Sequence, residues 1–354
     1  MGSRAVFCGN VRIGGGAPVS VQSMTNTFTE DIDATVAQIE ELAAAGADIV
    51  RCAVPTTEAA GALAEIKKRG VSVPLVADIH FDYKLALAAI KAGADKIRVN
   101  PGNIGGAEKL KAVTDAAGEA GIPMRIGVNG GSLEKDLTDL YESRPAEALA
   151  ESALRNIDIV KRLGFEDIVV SIKSSDILIN TEAHKLLAAK TDAPLHIGIT
   201  EAGYGRAAVV KSAAGIGALL AMGIGDTIRV SLTGDPIAEV EAARDILRAV
   251  NMLPGQITLI SCPTCGRCRV DLAALCGEAA EALKEIERTR ASGKPIVAAL
   301  MGCAVNGPGE ASHADVGVAC GADGGVYFEK GQQEGFVRYD EIVEKLLQGV
   351  RARI

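Results

Sequence analysis

The first chemical signal lies in the cysteines of the last third of the chain. Residues 261–268 read SCPTCGRC, which puts Cys262, Cys265 and Cys268 on a tight Pro/Gly turn; Cys303 stands alone in MGCAVNGPGE about forty residues later. A structural zinc site by spacing wants two C-x-x-C pairs or paired histidines, but Cys303 has no such partner and His313 lies ten residues on. A thioredoxin-like dithiol would use Cys262 and Cys265 and leave Cys303 without a role. Close cysteines plus one distant cysteine suit an iron–sulfur cluster, with Cys262, Cys265 and Cys303 on three irons. The fourth ligand is then Cys268 or a weaker donor such as Glu310, on the glycine-rich loop VNGPGE. The remaining cysteines, Cys8, Cys52, Cys276 and Cys320, read as small apolar residues.

A second signal is spread over the first 250 residues. Short β-branched runs end in charged or amide residues: Arg51, Asp78 with His80, Arg98 with Asn100, Arg125 with Asn129, Lys173, His196 with Glu201, and Arg229 with Ser231. Four arginines and a lysine at one edge would form a cationic bowl, suited to phosphate or diphosphate because guanidinium forks pair with phosphate oxygens in two-point hydrogen bonds. Taken singly, each arginine reads equally well as a rim salt bridge. Asp78 and His80 read equally well as a buried pair that tethers a loop.

The elements that must position these residues alternate regularly. VSVQSM, DIVRCAV, PLVADIH, DKIRVN, MRIGVN, DIVVSIK, LHIGIT and TIRVSL read as eight strands, separated by Ala- and Leu-rich stretches of helical period such as DATVAQIEELAAAGAD and YKLALAAIKAGAD, which stop at glycine. Eight strand–helix units in this length predict a (β/α)8 barrel, with a doubly wound sheet as the alternative, and barrel strand ends converge on the top face where barrel enzymes do chemistry. After LPGQ the pattern changes, so the reading is a TIM-barrel substrate-binding domain over residues 1–253 and a smaller α/β cluster domain over 254–354. That second part should contain strand ITLIS, a helix around 271–291, strand PIVAALMGC, short strands through VGVACG and GVYFEK turned by Gly324-Gly325, and a last helix from about 340.

Composition narrows the class. The chain has 354 residues, 48% hydrophobic, with 37 Lys plus Arg against 45 Asp plus Glu and a formal charge of −8. That balance argues against a general nucleic-acid or anionic-membrane surface, and no apolar run is long enough to span a bilayer. No signal pattern opens the sequence, whose first residues read as an appendage, so a cytoplasmic location is expected.

The segments PVSVQSMTNT, ADIVRCAVP, VADIHFDYKLA, KIRVNPGNIG, RIGVN, ITEAG, SCPTCGR and GCAVNGPGEA resemble the 4-hydroxy-3-methylbut-2-en-1-yl diphosphate synthase family over nearly the whole chain. The resemblance implies the two-domain bacterial form. It also implies a 4Fe–4S cluster held by Cys262, Cys265, Cys303 and Glu310, with Cys268 a departure from the family pattern. The implied reaction is reductive ring opening of 2-C-methyl-D-erythritol 2,4-cyclodiphosphate to 4-hydroxy-3-methylbut-2-enyl diphosphate, fed by reduced flavodoxin or ferredoxin. Substrate cations would be Arg51, Arg98, Arg125, Lys173 and Arg229, with Asn129 and Ser231 as neutral donors. Glu201 is the expected proton source, helped by Asp78 and His80, and Glu310 would swing away as substrate binds. An electron carrier, or a pterin-binding synthase barrel fused to a redox domain, would not need five converging cations.

Barrel geometry adds an expectation about assembly. The helix after the last strand runs back to the barrel bottom, about 24 Å away at 1.5 Å per residue. The linker NMLPGQ then reaches about 20 Å at most. A head-to-tail homodimer, each cluster domain capping the other chain's barrel, is therefore expected, in line with the resemblance.

Overall fold

The computed structural model describes residues 2–290, 292–303, 309 and 311–354. Two compact units divide the chain, Met1–Met252 and Leu253–Ile354. No helix among the described residues is long and apolar enough to cross a membrane.

The first unit opens with an antiparallel hairpin, β1 (Val6–Cys8) and β2 (Val11–Ile13). Then follow β3 (Ser20–Met24), α1 (Ile32–Ala45), β4 (Ile49–Ala53), α2 (Thr57–Lys68), β5 (Leu75–Asp78), α3 (Tyr83–Lys91), β6 (Lys96–Val99) and α4 (Ala107–Ala120). The chain continues with β7 (Met124–Asn129), α5 (Thr138–Ser143), α6 (Pro145–Arg162), β8 (Ile168–Lys173), α7 (Ile177–Ala188), β9 (His196–Ile197), α8 (Gly205–Ala221), β10 (Thr227–Ile228) and α9 (Pro236–Ala249). The eight strands from β3 to β10 pair in parallel in the order β8-β7-β6-β5-β4-β3-β10-β9. A parallel bridge between Val170 and Leu195, with the Val170 N–H donating to Pro194 O at 2.9 Å, brings β8 to β9 and closes the ring. This is the expected (β/α)8 barrel.

Local sequence explains the units. Just past a strand end, Asp31, Thr56, Asp82, Asp176 or Asp235 accepts an N–H of the helix that follows, which starts that helix on the top face. Gly46, at φ 104°, ends α1 in the left-handed conformation that glycine adopts without strain. At the bottom a second device recurs. Asp48, Asp95 and Asp226, each one residue before a strand, accept the N–H of Val21, Leu75 and Leu195 on the neighbouring strand at 2.7–2.8 Å. A carboxylate at that place locks the register of adjacent strands, which accounts for the aspartate of Gly-Ala-Asp before β4 and β6 and of Ile-Gly-Asp before β10.

Val6, Cys8 and Ile13 of the hairpin pack against Ile49, Val76 and Val169 and plug the barrel bottom. One expectation needs correction in this unit. The last two strands are shorter than LHIGIT and TIRVSL suggested, at two residues each, and their chains stay close just beyond them. A Cβ on Gly198 would lie 2.6 Å from the Arg229 carbonyl oxygen.

The second unit has β11 (Ile257–Ser261), α10 (Leu272–Arg288), β12 (Ile296–Met301), β13 (Val316–Gly321), β14 (Gly324–Glu329), β15 (Gln332–Arg338) and α11 (Ile342–Arg351). The sheet runs β11-β12-β13-β14-β15, its first three strands parallel and the rest antiparallel. Leu272, Leu275 and Leu283 of α10 and Ile342, Leu346 and Val350 of α11 cover one face, over Val316 and Val318. The predicted Gly324-Gly325 turn is displaced. Gly321 pairs with Gly324, so Ala322 and Asp323 make the turn, and the two glycines lie in β14. Side chains there would strike Phe336 and Val318.

The plug gives a direct test. Ile13→Ala should destabilise the first unit by about 2–5 kcal/mol, as for other buried isoleucine truncations. Urea unfolding followed by a probe in that unit would check it; a change below about 0.5 kcal/mol would mean the hairpin is dispensable.

Candidate active site and metal centre

The barrel interior is polar. Aliphatic branched residues usually fill such a lumen. Here alternate residues of the strands put Arg51, Asp78, Arg98, Arg125 and Lys173 there instead. Asp78 is the hub. Its Oδ1 accepts from Arg98 Nη1 at 3.1 Å, while Oδ2 lies 3.7 Å from Arg51 Nε and 3.5 Å from His80 Nε2. Burial alone would raise this carboxyl, but Arg51, the His80 ring, Arg98 and Arg125 outweigh it and hold the group well below the usual carboxylate range. Arg51 also donates from Nε and Nη2 to Met24 Sδ at 3.1 and 3.0 Å, and burial pushes it down to about 10.

The other cations crowd the same space. Arg125 is fully buried and lowered well below its usual value, first by burial and then by Arg51 and Arg98. Lys173 is lowered in the same way by burial, then by Arg51, Arg125, Arg229 and Arg98, although its end of β8 is only half-buried. Arg229 leans away toward Glu239, whose Oε2 lies 3.4 Å from Nη2 while Oε1 accepts the Leu232 N–H at 2.8 Å. Asn129 closes β7 with Oδ1 accepting the Gly131 N–H at 3.1 Å, and Ser231 is half-buried two residues beyond Arg229.

Glu201 is exposed at the loop after β9, with φ 51°, a left-handed conformation uncommon for a non-glycine residue. His80 is also exposed, and a pocket of ≈ 320 Å³ beside it is lined by Ala53, Pro55, Asp78, Phe81 and Leu85. His196 does not sit at a strand edge as the sequence suggested. It opens β9, fully buried inside the barrel, with its ring held well below the usual value by burial and by Arg125, Lys173, Lys96 and Arg51. Sequence reading missed Glu239, hidden in the amphipathic pattern of α9, and Gly127. A Cβ on Gly127 would lie 3.1 Å from Arg98 Nε and Nη2, so the glycine makes room for that guanidinium.

In the second unit the thiols gather at strand ends. Ser261 pairs with Leu300, so Cys262 after β11 and Cys303 after β12 leave neighbouring parallel strands on the same side. The Gly302 N–H donates to Cys262 Sγ at 3.3 Å, and the Cys268 N–H donates to Cys265 O at 2.9 Å to form the turn. Cys265 is exposed, and its thiol is lowered, chiefly by the Arg267 N–H. Cys268 differs: it donates to Val270 O at 3.3 Å and packs among core residues. A Cβ on Gly302 would lie 2.6 Å from its sulfur. Burial raises Cys276, and raises Cys8, Cys52 and Cys320 to about 11, so these stay protonated. Glu310 lies outside the described residues.

Among the described residues, no three His, Cys, Asp or Glu side chains gather closely enough to hold a single metal ion. An iron–sulfur cluster takes its thiolates at separate corners, and amide N–H donors to sulfur favour the thiolate. Cys262, Cys265 and Cys303 fit such a group in donor type, and Cys262 and Cys303 follow neighbouring strand ends.

Two family models cover the chain, the GcpE TIM-barrel domain over residues 3–244 and the GcpE protein C-terminal domain over residues 258–352. A 4-hydroxy-3-methylbut-2-en-1-yl diphosphate synthase (flavodoxin) of Caldanaerobacter subterraneus subsp. tengcongensis is 51% identical over 352 residues, 99% of this chain and 97% of that protein. One of the same name from Anoxybacillus flavithermus is 52% identical, covering 97% of this chain and 93% of its own. The barrel also matches a type I 3-dehydroquinate dehydratase from Clostridium difficile with TM-score 0.51 at 15% identity, over 71% of this chain and 98% of that one, a likeness of fold alone. With both domains matched in order and half of all residues identical to these full-length relatives, the chain belongs to the GcpE family.

Proposed function

We propose that this chain is an oxidoreductase that opens 2-C-methyl-D-erythritol 2,4-cyclodiphosphate reductively to 4-hydroxy-3-methylbut-2-enyl diphosphate, a step of the non-mevalonate route to isoprenoids. The observation that carries the reading is the convergence of Arg51, Arg98, Arg125, Lys173 and Arg229 inside one barrel, where Asp78 pairs with Arg51 and Arg98 and Glu239 with Arg229. A cyclic diphosphate brings the negative charge that such a group of cations lacks. Reduced flavodoxin, named for the relatives, is the proposed electron donor.

The residues divide the work. The five cations bind the diphosphate, and Asn129 and Ser231 add neutral donors. Asp78 keeps Arg51 and Arg98 aligned and orients His80. Glu201, exposed at the loop after β9, delivers a proton from its carboxyl to the substrate side of the bowl. Cys262, Cys265 and Cys303, with Glu310, would hold a 4Fe–4S cluster, which when bound supplies electrons singly and an iron that can act as a Lewis acid. Cys268, whose thiol is taken by Val270 O, stays outside the ligand set.

A head-to-tail homodimer completes the reading. The loops and helix starts above the barrel expose Phe28, Phe81, Leu178 and Tyr204, large apolar side chains that a covering surface would bury. The cluster domain of a second chain is the proposed cover, and it would exclude water from the reaction.

Three outcomes test these assignments. After anaerobic reconstitution, Cys262→Ala, Cys265→Ala and Cys303→Ala should each lose the cluster by iron count and absorbance, while Cys268→Ala keeps it; equal iron loss in Cys268→Ala would overturn the ligand set. Arg51→Ala, Arg98→Ala, Arg125→Ala and Lys173→Ala should each weaken cyclodiphosphate binding by roughly 1.5–3 kcal/mol with iron content unchanged. Wild-type binding in all four would remove the bowl as substrate site. Mixing Cys303→Ala with Glu201→Ala chains should restore turnover with reduced flavodoxin through one intact composite site. An inactive heterodimer, demonstrated to have formed, would argue against the shared arrangement.

A further inference from the structure

We infer that the barrel holds a second binding site one residue layer below the bowl, formed by Lys96 and Arg125 with Gln22, His196, Ser20 and Thr227, and that it takes a small inorganic anion, a halide or a phosphate. The site borders the bowl through Arg125, which reaches both, and its remaining residues take no part in the reaction proposed above.

Lys96 opens β6 and shares a strand face with Arg98, two residues and about 6.6 Å deeper at ~3.3 Å per residue. It is fully buried, as are Arg125, His196 and Thr227, and Gln22 and Ser20 are nearly so. Lys96 Nζ, all three guanidinium nitrogens of Arg125, both amide atoms of Gln22, both ring nitrogens of His196 and the hydroxyls of Ser20 and Thr227 have no hydrogen-bond partner among the described residues. Their strands bring these groups together. Thr227 of β10 pairs with Ser20 of β3 on one side and His196 of β9 on the other, Gln22 follows Ser20 by two residues on the same face of β3, and Arg125, Lys173, Lys96 and Arg51 all bear on the His196 ring.

An unpaired buried cation is among the most costly features a protein interior can carry. The nearby carboxylates relieve it only in part: Asp78 attracts Arg125 without bonding to it, being held by Arg51, Arg98 and His80, and Glu239 is bonded to Arg229 and Leu232. Burial, and then Arg125 and Arg51, push Lys96 down to about 8, which still leaves it protonated at neutral pH. The chemistry of the layer selects the ligand's sign. Lysine and arginine contribute only donors, His196 is held neutral, and the remaining amide and hydroxyls donate as readily as they accept, so donors exceed acceptors. A cation is repelled, and a ligand that only accepts satisfies the most groups. Below, the apolar plug of Val6, Cys8 and Ile13 closes the barrel, so the anion must enter from the bowl side.

Crystals of the full-length protein soaked in sodium bromide, and separately in inorganic phosphate, decide the matter. Anomalous density for bromide in contact with Lys96 and Arg125 supports a halide-sized site; phosphate density at that place without bromide supports an oxyanion site. In Lys96→Met that density should vanish, and bromide affinity read from the rise in melting midpoint, with gluconate holding ionic strength constant, should fall at least about tenfold. Peaks confined to the upper ring of Lys173 and Arg229, water alone in both soaks, or unchanged affinity in Lys96→Met would overturn the inference. Should Lys96→Met fail to fold, the wild-type maps decide alone.

Discussion

Asp78 is the constraint on which the barrel's chemistry rests. Like charges at these distances repel strongly, and burial removes the water that would screen them. One carboxylate touching two guanidinium groups and an imidazole makes the arrangement tolerable and fixes where the forks point. Removing one partner of such a buried group typically costs about 3–5 kcal/mol, because the rest stay buried and unpaired. Because the folded carboxyl lies well below its usual range, its stabilisation is complete above the ordinary carboxylate range and declines as acid protonates the folded form. At neutral pH the net positive excess persists, and that excess is what a polyanionic ligand can neutralise.

Tight backbone contacts serve this electrostatic design. Gly127 lets Arg98 lie flat against β7, and Gly198 lets β9 approach the Arg229 carbonyl. In the second unit Gly302 fits between Cys262, whose sulfur it donates to, and Cys268, whose sulfur lies against it. At each of these places a side chain would displace the functional group that glycine positions. The sequence carries no periodic sign of that requirement, because glycine in a strand reads only as a weakness or a bulge.

The parts legible in the sequence were those with a repeating physical cause. Alternating β-branched runs and Ala-rich helical stretches marked all eight barrel strands, and the strand-end cations followed from reading each run to its edge. Non-local requirements were harder to read. The plug residues Val6 and Ile13 look like any short apolar pair until the barrel bottom they fill is known. Gly324-Gly325 resembles a turn because glycine tolerates one, yet crowding by Phe336 and Val318 explains it better. His196 falls beside a functional strand edge only if β9 runs the length of LHIGIT, and β9 has two residues. Lys96, at a strand start, and Glu239, on a helix, stand at positions that no local pattern marks.

A polar lumen also explains why this barrel needs its register locks. An apolar interior would set strand register by burial, since a one-residue slip turns the core face outward. Here a one-residue slip would bring buried apolar residues such as Ile97, Ile126 and Val170 into the charged lumen, but a two-residue slip would exchange one polar set for another in several strands, and hydrophobic contrast is too weak to forbid that. Asp48, Asp95 and Asp226 supply the missing specification by binding a neighbouring strand's N–H directly. The same device recurs where Asp315, just before β13, accepts the Val297 N–H of β12 at 2.8 Å. Those bonds lie at the ends of the strands opposite the functional residues, so register is fixed by groups that take no part in the chemistry. The top face is thereby free to carry charges chosen for a ligand rather than for folding.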